Sequence, residues 1–161
     1  MSLFFCFFFF GSFFFFLWRF NDRESERVRE RELNNRNVYL IAVMKTAKLP
    51  STIFSVCVDK AVEYTTDVLR RPTTHTALMI VENESVILPY QTLVSEFYSA
   101  GYGAKKIEKW VNEWAEIGLI KWRFYDSTHK YVSFLSKPVS DKDHQSMKEW
   151  FIAEKDKKVT E

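Results

Sequence analysis

"LPYQTLVSEFYSAGYGAKKIEKWVNEWAEIGLIKWRFYDSTHKYVSFL", residues 88–135, is the stretch that decides the fold. Tyr90, Leu93, Val94 and Phe97 recur at i, i+3, i+4 and i+7, which puts them on one face of a helix over about 90–99. Pro89 suits the first helical position, where a missing N–H costs nothing. Gly101 and Gly103 flank Tyr102 and permit a sharp reversal, because glycine enters positive φ without a Cβ clash. A longer helix is expected over about 104–117, with Ile107, Trp110, Val111 and Trp114 as its apolar stripe and Gly118 as its stop. Burying that stripe leaves the opposite face, Lys105, Lys109 and Asn112 with Lys106 beside them, turned outward.

Residues 119–124 and 131–135 have strand composition. Trp122, Phe124, Val132 and Phe134 alternate with Arg123, Tyr131 and Ser133, which is period 2; Trp110, Trp114, Trp122 and Trp150 read as core, with exposure beside the wing as the alternative for Trp122. Asp126-Ser127-Thr128 is turn-rich and joins the two as a hairpin. Lys121, Arg123, His129 and Lys130 decorate it, and Tyr125 near its tip is a candidate contact residue.

Residues 77–135 resemble a winged helix-turn-helix, with "AEIGLIKW" ending the second helix ahead of the hairpin. Residues 88–120 are also similar in style to the C-terminal winged domain of minichromosome maintenance helicases, and to the winged modules of PCI and ESCRT scaffold proteins. The resemblance covers about a third of the chain. It rests on hydrophobic spacing more than on particular residues, so it bears on the fold and says little of the task. It implies a mainly α fold with a small β-hairpin (α+β), here with an extra N-terminal helix and a C-terminal helix. It implies docking on double-stranded DNA or on a protein partner, with helix 104–117 in the groove and the hairpin as the wing. The nucleic-acid-binding residues it suggests are Lys105, Lys106, Lys109, Asn112, Lys121, Arg123, Tyr125 and Lys130. Lysine at the helix start would meet phosphates, and Asn112 would lie near base edges.

Whole-chain composition averages two unlike pieces. Residues 1–43 hold six Arg and no Lys, whereas residues 44–161 hold 14 Lys and three Arg; 11 of the 16 Phe fall in the first 20 positions. Residues 3–17 are almost all Phe, broken by Cys6, Gly11 and Ser12, and residues 23–32 read "RESERVRERE". Phe, Leu and Ser have pyrimidine-rich codons, and an alternating adenine–guanine tract encodes Arg and Glu in turn. Residues 1–43 are therefore read as translated simple-sequence DNA, a spurious extension or disordered segment upstream of a start at Met44. The rival reading is a membrane anchor over residues 3–20, uncharged until Arg19 and near the minimum spanning length. It lacks the basic start of a secretory signal, and its following arginines would hold the rest of the chain in the cytosol.

Residues 44–161 fit one small domain, divided into a winged-helix part at 44–138 and a C-terminal helix and tail at 139–161. Its 17 basic and 16 acidic groups leave a net charge of +1, so nucleic-acid binding would have to rest on a local patch. Cys6 and Cys57 lie in different pieces, which argues against a disulfide framework and for an intracellular, reducing compartment, cytoplasm or nucleus. A first helix is expected over about 52–70, with Ser51 as N-cap, Pro72 as stop, and Ile53, Val56, Cys57, Ala61, Tyr64 and Val68 buried. Residues 76–88 read either as a hairpin across "ENES" or as a short helix followed by a strand; the winged arrangement favours the second. Residues 140–155 look helical, with Ser140 and Asp143 spaced like a capping box and Met147, Trp150 and Phe151 as a stripe. This helix covers the domain or pairs with a second copy as a homodimer.

No catalytic constellation, metal pattern or cofactor loop stands out. His75, His129 and His144 share no ligand spacing, and no CxxC occurs. His75 reads as a loop residue and Cys57 as a buried structural thiol. Gly101-Tyr102-Gly103 lacks the third glycine of a dinucleotide loop and follows a helix rather than a strand. The lysines of helix 104–117 are the sharpest functional candidates, set against the plainer reading of a solvated face that also carries Glu108, Glu113 and Glu116. The sequence thus leads to a DNA-binding regulator or replication accessory. The alternative is an interaction module within a larger complex, membrane-tethered if the Phe run is an anchor.

Overall fold

The computed structural model describes residues 50–159, together with isolated helical positions at 27, 28, 31, 32, 38 and 42. The chain divides into two units, Met1–Leu40 and Ile41–Glu161, and every element named below belongs to the second. The Phe-rich run and its reading as an anchor lie outside the described residues. Among the described residues no helix is long and apolar enough to cross a membrane.

Residues 50–159 fold as α1 (Ser51–Arg70), α2 (Thr74–Asn83), β1 (Ser85–Pro89), α3 (Tyr90–Ser99), α4 (Ala104–Glu116), β2 (Ile120–Phe124), β3 (Lys130–Pro138) and α5 (Asp141–Val159). This is a mainly helical α+β arrangement. The three strands form one antiparallel sheet in the order β1-β3-β2. Helix, strand, helix, helix and hairpin in that order are compatible with a winged helix-turn-helix. Residues 76–88 are a helix and a strand, not a hairpin.

Local chemistry explains the joints. α3 and α4 both end in a glycine with positive φ, Gly101 at 83° and Gly118 at 77°. After α3, Tyr102 N–H donates to Phe97 C=O (3.0 Å) and Gly101 N–H to Tyr98 C=O (2.9 Å); after α4, Leu119 N–H donates to Trp114 C=O (2.9 Å) and Gly118 N–H to Ala115 C=O (3.1 Å). This double bond pattern satisfies carbonyls that a helix end leaves unpaired. Thr73 caps α2 reciprocally: its hydroxyl accepts from Thr76 N–H, and Thr76 Oγ1 accepts from Thr73 N–H at 2.9 Å. At the other end of α2, Glu84 sits at φ 54°, a left-handed conformation that a side chain makes costly.

The core lies between the sheet and the helices. Trp114 of α4 is fully buried, edge-on to Phe54 of α1 (4.9 Å between ring centroids) and beside Phe97 of α3 (5.3 Å); Phe54 also meets Phe134 of β3 (5.7 Å). α5 packs on α2, burying Met147 and Phe151, and its His144 Nε2–H donates to Val81 C=O (3.0 Å).

Several expectations are corrected. Because β3 is the central strand, Tyr131, Val132, Ser133 and Phe134 are all buried, and the anticipated alternation is lost there. β2 is an edge strand, so Trp122 is half-buried, between the core and exposed readings, and Phe124 beside it is 59 % exposed. In α1, Phe54 and Thr65 are buried where Val56 and Tyr64 were expected; Val56 is exposed and Tyr64 half-buried. Ser51 is the first helical residue rather than the N-cap, a place taken by Pro50. Pro89 ends β1 and caps α3 from outside the helix. His75 lies in the first turn of α2, not in a loop, because the Thr73–Thr76 cap starts that helix early. Trp110 and Trp150 are half-buried rather than core.

Candidate nucleic-acid interface

The helix α4 is amphipathic enough to be held by one side only. Ile107, Val111 and Trp114 are buried, and this places Lys105, Lys106, Lys109 and Asn112 on the exposed side. Gly103 positions the start of the helix, its C=O accepting from Lys106 N–H (2.9 Å) and Ile107 N–H (3.2 Å).

The field of this face is mixed. Lys109 Nζ lies 3.8 Å from Glu113 Oε1 one turn on, a surface pair worth about 0.3–0.5 kcal/mol. Lys106 Nζ stands 6.0 Å from the ring centroids of both Tyr102 and Trp110, which meet edge-on at 4.8 Å; that distance is the outer limit of cation–π attraction. Glu108 and Glu116 are also exposed. Burial holds the Tyr90 hydroxyl above its ordinary pKa, with a smaller contribution from the Glu108 carboxylate, so this acid acts toward the start of α3.

The hairpin residues are not brought together as one surface. Register pairs Trp122 with Val132 and Arg123 with Tyr131, so Lys121 and Arg123 lie on one face of the sheet and Phe124 and Lys130 on the other. Lys121 is exposed. Arg123 is half-buried, and its Nε–H donates to Asn83 Oδ1 at 2.6 Å, tying the hairpin to the end of α2. Lys130 Nζ stands 6.0 Å from the Phe124 ring, and Tyr125 is 42 % exposed at the tip.

Two features escaped the sequence reading. The first is the tip itself: Asp126 accepts from Thr128 N–H, Thr128 Oγ1–H, His129 N–H and His129 Nδ1–H, all at 2.7 Å. The Thr128 hydroxyl, then His129, hold this carboxyl well below the usual carboxylate range. Asp two residues ahead of Thr is the signal for such a side-chain turn. The His129 ring lies 4.4 Å from the ring of His75 of α2, tilted by 37°, and the His75 pKa is lowered first by burial and then by His129, with Asp126 opposing. A groove of about 540 Å³ opens between this tip and the start of α3, lined by Tyr90, Gln91, Thr128, His129, Lys130 and Tyr131 among others. No spacing rule could bring His75 to His129. The second is a row of aromatic rings, Tyr90 edge-on to Trp122 (5.0 Å) and Trp122 stacked with Phe124 (6.1 Å, 7° between planes).

Cys57 is completely buried, and burial pushes its thiol up to about 12, so it stays protonated and unreactive near neutral pH. Among the described residues no group of three or more His, Cys, Asp or Glu side chains is placed to hold a metal ion. Comparison with family models, with curated proteins and with solved structures returned no match.

Proposed function

We propose that residues 50–159 are a winged helix-turn-helix that binds double-stranded DNA, as a regulator or replication accessory, with α4 entering the major groove and the β2–β3 hairpin beside the backbone. The observation that carries this reading is the division of α4. Ile107, Val111 and Trp114 are buried on one side, and Lys105, Lys106, Lys109 and Asn112 are exposed on the other. A helix fits the major groove, about 12 Å wide. The lysines would neutralise phosphates, Asn112 would reach base edges, and Lys121, Arg123, Tyr125 and Lys130 would flank the duplex. No arginine lies on α4, so the bidentate reading of guanine is missing from this helix. Recognition would rest on shape and backbone, with modest sequence preference. Neither cofactor nor catalytic group is required, and the target places the domain inside the cell.

The test is the affinity of the full chain for duplex DNA as a function of salt. Each phosphate contact contributes about −0.9 to the slope of log affinity against log salt concentration. Replacing Lys105, Lys106 and Lys109 by Ala should make the slope shallower by about two to three, with folding unchanged to within about 0.5 kcal/mol. Absence of binding at low salt overturns the reading.

A second reading, an interaction module in a larger complex, is favoured by the 59 % exposure of Phe124 and by three acidic residues on α4. A homodimer through residues 140–155 would have to use Ile152 (52 % exposed) and polar neighbours, since Met147 and Phe151 are buried within the chain.

A further inference from the structure

The two edges of the sheet are finished differently. Along β3, alternate residues turn their N–H and C=O toward β2 and toward β1. Two bonds set the phase: Leu135 N–H donates to Leu119 C=O (3.1 Å) and Tyr125 N–H to His129 C=O (2.9 Å). With the register Lys121↔Ser133 and Arg123↔Tyr131, the odd-numbered residues of β2 are the ones bonded to β3. Ile87 and Pro89 of β1, opposite Ser133 and Tyr131, therefore face away from β3.

That outer edge of β1 is closed. Thr65 of α1, buried, accepts from Ile87 N–H at 3.0 Å and donates its hydroxyl to Ile87 C=O at 3.3 Å. One hydroxyl thus does for Ile87 what a further strand would do. The next outward position is Pro89, which has no N–H to satisfy.

The outer edge of β2 has no such device. Ile120, Trp122 and Phe124 direct their N–H and C=O groups away from β3, and among the described residues no backbone group bonds to them. At the same positions the side chains of Trp122 and Phe124 form a half-exposed aromatic shelf with Tyr90. Lys121 and Arg123 occupy the other face. An unpaired edge beside an apolar shelf is a template for strand addition.

We propose that the open edge of β2 accepts an extended, acidic segment of a partner protein as a fourth strand. The charges select this occupant. A second copy of the chain adding antiparallel through its own β2 sets Lys121 or Arg123 against Lys121 or Arg123 of the other copy in every register that pairs more than one of the free positions, and like charges directly opposite are destabilising. A segment alternating acidic and aliphatic residues meets the cations on one face and the Trp122–Phe124 shelf on the other. The proposal shares Lys121 and Arg123 with the hairpin side of the DNA reading, and does not depend on contact by α4.

The test uses the isotopically labelled full chain and a short synthetic peptide alternating glutamate and valine, capped at both ends. Binding should slow amide exchange at Trp122 and Phe124 by about tenfold or more, and leave Lys121 and Arg123, already bonded to β3, unchanged. Phe124→Pro removes one outward N–H without touching the ladder to β3, and should abolish binding while exchange at Ile87 and Val132 stays as slow as before. Lys121→Glu should weaken binding of the acidic peptide at least several-fold. The proposal is overturned if the peptide does not bind, or if it binds without slowing exchange at Trp122 and Phe124. Equal binding of a peptide N-methylated on alternate residues also overturns it. So does slowing of these two amides by raised protein concentration without peptide.

Discussion

The base and the tip of the β2–β3 hairpin are held by opposite kinds of force. At the base, Ile120 and Phe134 face one another in register and lie in the core beside Phe54 and Trp114. At the tip, a few residues away, Phe124 and Tyr125 are exposed and a single carboxylate, Asp126, gathers four donors. Apolar burial at the base is indifferent to proton concentration, whereas the tip depends on a charge. One ladder can therefore be rigid at one end and conditionally ordered at the other, and the tip is the end that lines the groove near α3.

This contrast can be broken most strongly at the base. Trp114→Ala should lower stability by about 3–5 kcal/mol, read as a drop in the denaturation midpoint shared by all probes. A transition confined to the hairpin would show that the base is not part of the common core. Thr65→Val keeps the shape but strands Ile87 N–H and C=O at the far edge of the same sheet, and should cost about 1–3 kcal/mol by denaturant titration. An unchanged midpoint would mean that this edge does not need its hydroxyl.

Smaller effects sharpen the comparison. Ser133 Oγ is buried with no hydrogen-bond partner among the described residues, so Ser133→Ala should be neutral or stabilise by up to about 1 kcal/mol, as judged by the thermal midpoint. At the tip, the Asp126 carboxyl titrates below its ordinary value of 3.8 because Thr128 and His129 donate to the charged form. A depressed carboxyl favours the ordered turn at pH above the ordinary value and loses that contribution as the pH falls through the lowered one. Acidification below 3.8 should lower the protection of the Thr128 and His129 amides, measured against their intrinsic exchange rates at each pH, before it touches Val132, and Asp126→Ala should produce the same local loss of protection at neutral pH with almost no shift in the global midpoint. Simultaneous loss at tip and base would erase the distinction.

Much of this was legible in local sequence. Ile107, Val111 and Trp114 recur at helical spacing, and one side of α4 follows from that period alone. Gly101 and Gly118 stand where only a residue without Cβ turns a helix end cheaply. The Thr73–Thr76 cap was legible in principle and went unread, because a Thr in place of Glu hides the capping pattern. Phe54 was missed because the period of α1 admits either of two neighbouring stripes, and the choice is made by where Trp114 and Phe134 arrive.

The amino-acid sequence by itself determined the helices and strands outside residues 76–88 and the inward face of α4, because period and turn chemistry act over a few residues. Only the tertiary structure decided that β3 is central and β2 an edge. It alone set Phe124 outside and Tyr131 inside, brought His75 to His129, and closed one edge with Thr65 while leaving the other open. These depend on which distant segments share a surface, and strand order is a property of long-range pairing that no local pattern encodes.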